Sequence, residues 1–94
     1  MENNVKTILS KYGITNEDYE ELLTICPSLE IVDDERVLKN LSLVEQFGFP
    51  CFDMDSLILT NPDFLLNDPN ELAKSLIKIG DNLETKLKEN PFLI

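Results

Sequence analysis

The chain contains no histidine, only two cysteines and three glycines, and eight basic residues against eighteen acidic ones. Each shortage removes a class of chemistry. Without histidine there is no side chain that ordinarily titrates near neutral pH, and no serine-based motif or glycine-rich phosphate loop takes its place, so nucleophilic catalysis lacks its parts. Cys26 and Cys51 stand far apart, outside any CxxC pair, which excludes the usual thiol metal sites. The chain begins MENNVKTILSKYG, with neither the basic flank nor the long apolar run of an export signal. In that setting the cysteines read as small apolar side chains of a reduced, cytoplasmic protein. No apolar stretch approaches the ~18 residues of a membrane span. The expectation is a non-enzymatic protein without metal, cofactor or membrane contact.

The shortage of cations bears on partners. A formal net charge of −10 repels phosphate backbones and anionic membranes, and favours basic protein surfaces. Hydrophobic residues nevertheless make up 43% of the chain, enough for a packed core, so residues 1–94 are expected to fold as one domain of modest stability.

What the chain does contain is a repeat. Tyr12-Gly13-Ile14 recurs 35 positions later as Phe47-Gly48-Phe49, and the same offset relates Leu22 to Leu57, Pro27 to Pro62, Asp33 to Asp68, Lys39 to Lys74 and Leu41 to Leu76. These matches fall at turn, core, stop and cap positions. Self-similarity of this period marks stacked supersecondary units. Val5, Ile8 and Leu9 form a first helical stripe that stops at Gly13, where an apolar residue after glycine fits a left-handed cap. Thr15 with Asp18 opens a second helix bearing Tyr19, Leu22, Leu23 and Cys26, ended by Pro27. Leu29, Ile31 and Val32 alternate like a short strand but, isolated between helices, are expected to pack as a turn or as one turn of 3₁₀ helix. Asp33 or Asp34 caps a third helix with an apolar face of Val37, Leu38, Leu41 and Val44, extended to Phe47. In the next copy Asp53 is the expected cap, Met54, Leu57 and Ile58 the buried face, and Phe64-Leu65-Leu66 the connector. Asp68, Pro69 and Glu71 start a fifth helix with the stripe Leu72, Leu76 and Ile79, the glutamate completing a capping box. A third copy then begins around Leu83 and Leu87, and Asn90-Pro91 repeats Asn61-Pro62. The apolar tripeptide Phe92-Leu93-Ile94 is expected to fold back onto the last helix, the alternative being that it offers itself to a partner.

The pattern L..LGF…….L…NP.LL, present as LVEQFGFPCFDMDSLILTNPDFLL and more weakly as ILSKYGITNEDYEELLTICPSLEI, resembles the repeat of the mitochondrial transcription termination factor (mTERF) family. The resemblance extends over nearly the whole chain and rests on leucines, one glycine and one proline. It implies an all-α solenoid of short triangular units, about two and a half repeats of roughly 35 residues in five to six short helices. The expected boundaries are about 5–39, 40–74 and a partial repeat over 75–94. In the family such units bind nucleic acid along a positively charged groove. This chain departs from that in being too short to wrap a duplex and in carrying the wrong net charge for phosphate contacts.

Three groups of residues are candidates for function. The acids Glu17, Asp18, Glu20, Glu21, Asp34 and Glu35 make a carboxylate-rich run suited to a basic protein partner; as Asp33-Asp34-Glu35 they lack the spacing of a calcium loop, and helix capping or a solvated face accounts for them equally. Phe49 and Phe52 put two aromatics at one turn, either as a docking surface or as a bridge between the first two repeats. Arg36, Lys39, Lys74 and Lys78 occupy equivalent helices and would form a positive stripe for nucleic acid, unless they pair locally with acids such as Glu35 and Glu71. The leading expectation is an acidic protein-binding module; the alternatives are an mTERF-like nucleic-acid factor and an acidic mimic of nucleic acid.

Overall fold

In a computed structural model, described over residues 4–94, the chain forms six α-helices and four 3₁₀ turns, with no strand among the described residues. The helices are α1 (Asn4–Ser10), α2 (Asn16–Ile25), α3 (Asp34–Gln46), α4 (Met54–Thr60), α5 (Pro69–Ile79) and α6 (Leu83–Glu89). The 3₁₀ turns cover Pro27–Glu30, Cys51–Asp53, Pro62–Leu66 and Pro91–Leu93. One order occurs three times: helix, glycine turn, helix, proline-led 3₁₀ turn. The helices that open each pass lie in a row, α1 on α3 and α3 on α5, within dimensions of 39 × 22 × 20 Å.

The sharp turns follow from backbone chemistry. After α1 the Ile14 amide donates to the Leu9 carbonyl (3.2 Å) and the Gly13 amide to Ser10 (3.1 Å); after α3 Phe49 donates to Val44 (3.1 Å) and Gly48 to Glu45 (3.0 Å). Both are Schellman closures. They need a left-handed residue, which Gly13 (φ 92°) and Gly48 (φ 112°) supply without steric cost. Each closure turns the next apolar residue back onto the helix, so Ile14 and Phe49 are both buried.

Helix starts are set by short acids and hydroxyls. Thr15 and Asp18 close a reciprocal capping box, with Asp18 N–H to Thr15 Oγ1 at 3.1 Å and Thr15 N–H to Asp18 Oδ2 at 3.2 Å. Asp33 accepts from the Glu35 amide and Asp68 from the Asn70 amide, so Asp33 rather than Asp34 caps α3. Two expected caps are absent. Glu71 does not close a box but pairs with Lys74 one turn on, at 3.4 Å. Asp53 makes no capping bond because its carboxylate meets Lys88 Nζ at 2.8 Å, joining the start of α4 to α6.

The core is continuous through all three passes, from Val5, Leu9 and Leu22 through Val37, Leu41, Met54, Ile58 and Phe64 to Leu72, Leu76 and Leu87. The buried face of α3 differs from the expected one. Val37, Asn40, Leu41 and Val44 face inward, whereas Leu38 is 47% exposed and Phe47 37%. A polar residue takes the place that hydrophobicity assigns to leucine. Asn40 Nδ2 donates to the carbonyls of Phe64 (3.0 Å), Leu65 (3.1 Å) and Asn67 (2.8 Å), all in or just after the 3₁₀ turn that α3 packs against. A short 3₁₀ turn leaves carbonyls without helical partners, and once buried they need a donor. The connectors at the two ends pack less completely than the middle one: Leu29 is buried but Ile31, expected to pack, is 85% exposed, and Ile94 packs against the core but Phe92 is 67% exposed.

Replacing Asn40 removes three donor contacts at a fully buried position. Asn40→Ala is expected to lower unfolding free energy by about 2–3 kcal/mol, the cost of orphaned buried carbonyls, whereas Lys39→Ala on the exposed side of the same helix is expected to change it little. Urea unfolding followed by circular dichroism measures both; equal effects would refute the role given to Asn40.

Candidate functional site

The expected site residues fall into distinct settings. On α2, Glu17, Glu20 and Glu21 are exposed, while Tyr19 and Leu22 on the opposite side are buried. Their i, i+3, i+4 spacing puts three carboxylates on one face, where mutual repulsion costs the helix a few tenths of a kcal/mol per pair. Asp18 is occupied by the capping box. Asp34 is half-buried in the first turn of α3, beside exposed Glu35, where both complement the helix dipole. Glu35 also borders a shallow depression of about 320 Å³ with Leu38, Lys39 and Ser42.

The two aromatics of the turn separate. Phe49 is 3% exposed and belongs to the core, as the apolar residue that the Gly48 closure turns inward, so it offers no docking surface. Phe52, on the Cys51–Asp53 turn, is 81% exposed. The signal for Phe49 was in the alignment with Ile14, whose place after glycine is also a buried one. Other exposed apolar residues include Ile77 (65%) on α5 and two near the end of the first unit, of which Ile31 was expected to pack inward. Ile25 (68%) ends α2, and Ile31 (85%) follows the first 3₁₀ turn, while Leu29 takes the inward place in that segment.

The four cations are exposed but differently engaged. Arg36 donates through Nη1 to the Leu66 carbonyl at 3.1 Å, and Lys74 pairs with Glu71. Lys39 borders the depression on α3. Lys78 borders another, of about 440 Å³, with Ser75, Ile79, Lys86 and Leu93. Two of the four thus have local partners, and the other two border separate depressions.

The Cys26 thiol and the Tyr12 phenol are tuned by packing. Cys26 donates its thiol hydrogen to Asp63 Oδ1 at 3.3 Å, and burial, followed by that bond and the carboxylate's charge, pushes its pKa up, keeping a protonated thiol with little nucleophilic character. Burial above all, then the charge and hydrogen bond of Glu45, pushes the Tyr12 phenol up to about 12. Among the described residues no group of three His, Cys, Asp or Glu side chains converges to hold a metal ion, and no helix is long and apolar enough to cross a membrane.

Comparison with protein-family models, curated proteins and solved structures finds no match. The functional reading therefore rests on the residues themselves. Of the candidates, Glu17, Glu20, Glu21, Glu35, Lys39, Lys78 and Phe52 are exposed, and their side chains take part in no cap, ion pair or core contact among the described residues.

The Tyr12–Glu45 contact joins the turn after α1 to α3 and makes stability depend on alkaline pH. A phenol whose proton is held more tightly in the folded state favours folding below its ordinary value of 10.0, and that contribution is lost as pH rises through about 12. Absorbance titration of tyrosinate should show Tyr12 ionising near the upper value. Glu45→Gln should move the transition down but leave it above 10.0, because burial is the larger cause. A Tyr12 transition at its ordinary value in the folded protein would refute this account.

Proposed function

We propose that this chain is a non-enzymatic binding module, an mTERF-like stack of short helical units whose acidic face receives a basic protein partner. The observation that carries the reading is where the charge lies. Residues 1–68 hold fourteen carboxylates and four cations, while residues 69–94 hold four of each, so the whole formal imbalance of −10 belongs to the first part of the chain. Glu17, Glu20, Glu21 and Glu35 are its exposed carboxylates around α2 and the start of α3, and Phe52 supplies an exposed aromatic anchor on the turn before α4. Electrostatic complementarity of this kind accelerates encounter and selects partners by sign.

Nucleic acid is the weaker reading. Two of the four cations expected to contact phosphate are engaged locally, by the Leu66 carbonyl and by Glu71, and the others border different depressions. Phosphate binding draws its affinity from several cations acting together. A repeat fold does not by itself carry the family's ligand.

A lysine-rich helical peptide is the probe for this face. Its affinity, measured by fluorescence anisotropy, should fall several-fold between low and physiological salt, and should be lost when Glu17, Glu20 and Glu21 are all changed to Lys. Amide NMR shifts should cluster on α2, the start of α3 and Phe52. Shifts clustered instead on Arg36, Lys39, Lys74 and Lys78 upon adding single-stranded nucleic acid would overturn the proposal in favour of the nucleic-acid reading. Peptide affinity unchanged by salt would also overturn it.

A further inference from the structure

The two ends of the row of units differ in charge, and each exposes large apolar side chains. At the first unit, Ile25 and Ile31 stand out beside Glu21, one helical turn before Ile25, and Glu30, which adjoins Ile31. At the third unit, Phe92 and Leu93 (42%) stand out beside the depression bordered by Ser75, Lys78, Ile79 and Lys86. Both charged residues at that depression are lysines. Lys86 Nζ is held by the Ile79 carbonyl at 2.8 Å, which fixes its cation at the rim, while Lys78 is exposed.

A side-chain ladder links successive 3₁₀ turns and stops at this end. The residue before each proline reaches the next turn: Cys26 Sγ donates to Asp63 Oδ1 (3.3 Å), and Asn61 Nδ2 donates to the Pro91 carbonyl (2.9 Å). Asn90 holds the same place in the third turn. Its Oδ1 accepts from the Phe92 amide at 3.1 Å, but its side chain reaches no further turn. The opening itself has a chemical origin. Ser75 stands on α5 where Asn40 stands on α3, and serine lacks the reach with which Asn40 draws in the Pro62–Leu66 turn.

We propose that two copies of this chain associate head to tail, the end of α2 and the first 3₁₀ turn of one copy seating in the depression between α5, α6 and the last 3₁₀ turn of the other. Ile25 and Ile31 meet Leu93 and Phe92, and Glu21 and Glu30 face Lys78 and Lys86. The free amide of Asn90 meets the Pro27–Glu30 turn of the incoming copy, continuing the ladder. Because the two surfaces are different, the contact is heterologous and repeats into a ring or an open chain. Net charge opposes the approach of copies at long range, so the association is of moderate affinity and needs physiological salt to screen the repulsion beyond about 8 Å.

This goes beyond the acidic-face reading, since it depends on Lys78, Phe92 and Leu93, and Phe92→Asp leaves the α2 carboxylates intact. Sedimentation equilibrium over a wide concentration range should show average mass rising above the 10.8 kDa of one chain. Phe92→Asp should weaken association by about tenfold or more; because Glu21 belongs to both contacts, peptide binding at the acidic face is compared below the concentration of association, where it should be unchanged. Lys78→Glu and Glu21→Lys should each weaken it alone, and an equimolar mixture of the two should restore association, because each altered end then meets its opposite. All three positions are exposed, so far-ultraviolet circular dichroism should be unchanged. A monomer at every concentration, or association indifferent to Phe92→Asp, or no recovery in the mixture, would overturn the proposal.

Discussion

Three carbonyls that cannot be left bare in an apolar interior set the terms for the middle of this molecule. The segment from Phe64 to Asn67 packs Phe64 and Leu65 fully into the core, which carries the adjoining backbone inward with them. A 3₁₀ turn satisfies few of its own acceptors, so the burial of those side chains is tolerable only if a donor arrives from elsewhere. Asn40 is that donor, with Nδ2 within 3.1 Å of all three carbonyls. The arrangement also decides which way the amide points. Turning it over would set an acceptor against three acceptors, so Oδ1 remains the buried atom without a partner, a cost accepted for the sake of the larger gain.

The same constraint explains why the units are alike in backbone and unlike in packing. Proline starts the turns at 27, 62 and 91 and ends the preceding helix each time. Among the described residues, α3 alone uses an asparagine side chain to hold the turn it packs against. The corresponding residues are Val5 on α1 and Ser75 on α5, neither of which can supply two amide hydrogens. In the third pass the distance from glycine to proline is also shorter, from Gly80 to Pro91 rather than from Gly48 to Pro62, and the 3₁₀ turn that precedes α4 has no counterpart before α6. Asn82 instead enters α6 in the left-handed conformation at φ 62°, which asparagine tolerates better than other non-glycine residues. The last connector is thus held by Ile94 and the Asn61 bond to Pro91, with Phe92 and Leu93 left outward.

Helices, their order and most of the core were legible in the sequence because the signals are local. A glycine followed by an apolar residue, a threonine three places before an aspartate, and a proline after an apolar stripe each act within a few residues, and the structure contains all three. What was not legible depends on a partner distant in sequence. Asn40 resembles any polar residue on an amphipathic helix until the turn 24 positions away is placed against it. Asp53 reads as a cap until Lys88 is brought beside it from α6, and Glu71 as half of a box when Lys74 is the nearer cation. Phe49 and Phe52 could be read from the sequence either as a docking surface or as a bridge between repeats, and the structure divides them: the local glycine closure buries Phe49, while Phe52 three residues on is exposed.

Function is harder to read for a related physical reason. Capping and packing use carboxylates and aromatics for their own ends, so residue type alone does not separate a binding surface from a structural device. The structure narrows the choice by showing which groups are already committed. Asp18, Asp33, Asp68 and Asp53 are engaged in caps or an ion pair, and Phe49 in the core. Glu17, Glu20, Glu21 and Phe52 do no such work in it. A helix face that bears three like charges at adjoining turns is slightly destabilised by them, and an exposed phenylalanine forgoes the burial that would stabilise the fold by roughly 2 kcal/mol. The exposed ring does not help the isolated chain, and of the three carboxylates only Glu17, in the first turn of α2, gains from the helix dipole. That both features persist in a domain this small, where the core leaves little stability to spare, is what the proposed recognition of a second molecule would account for.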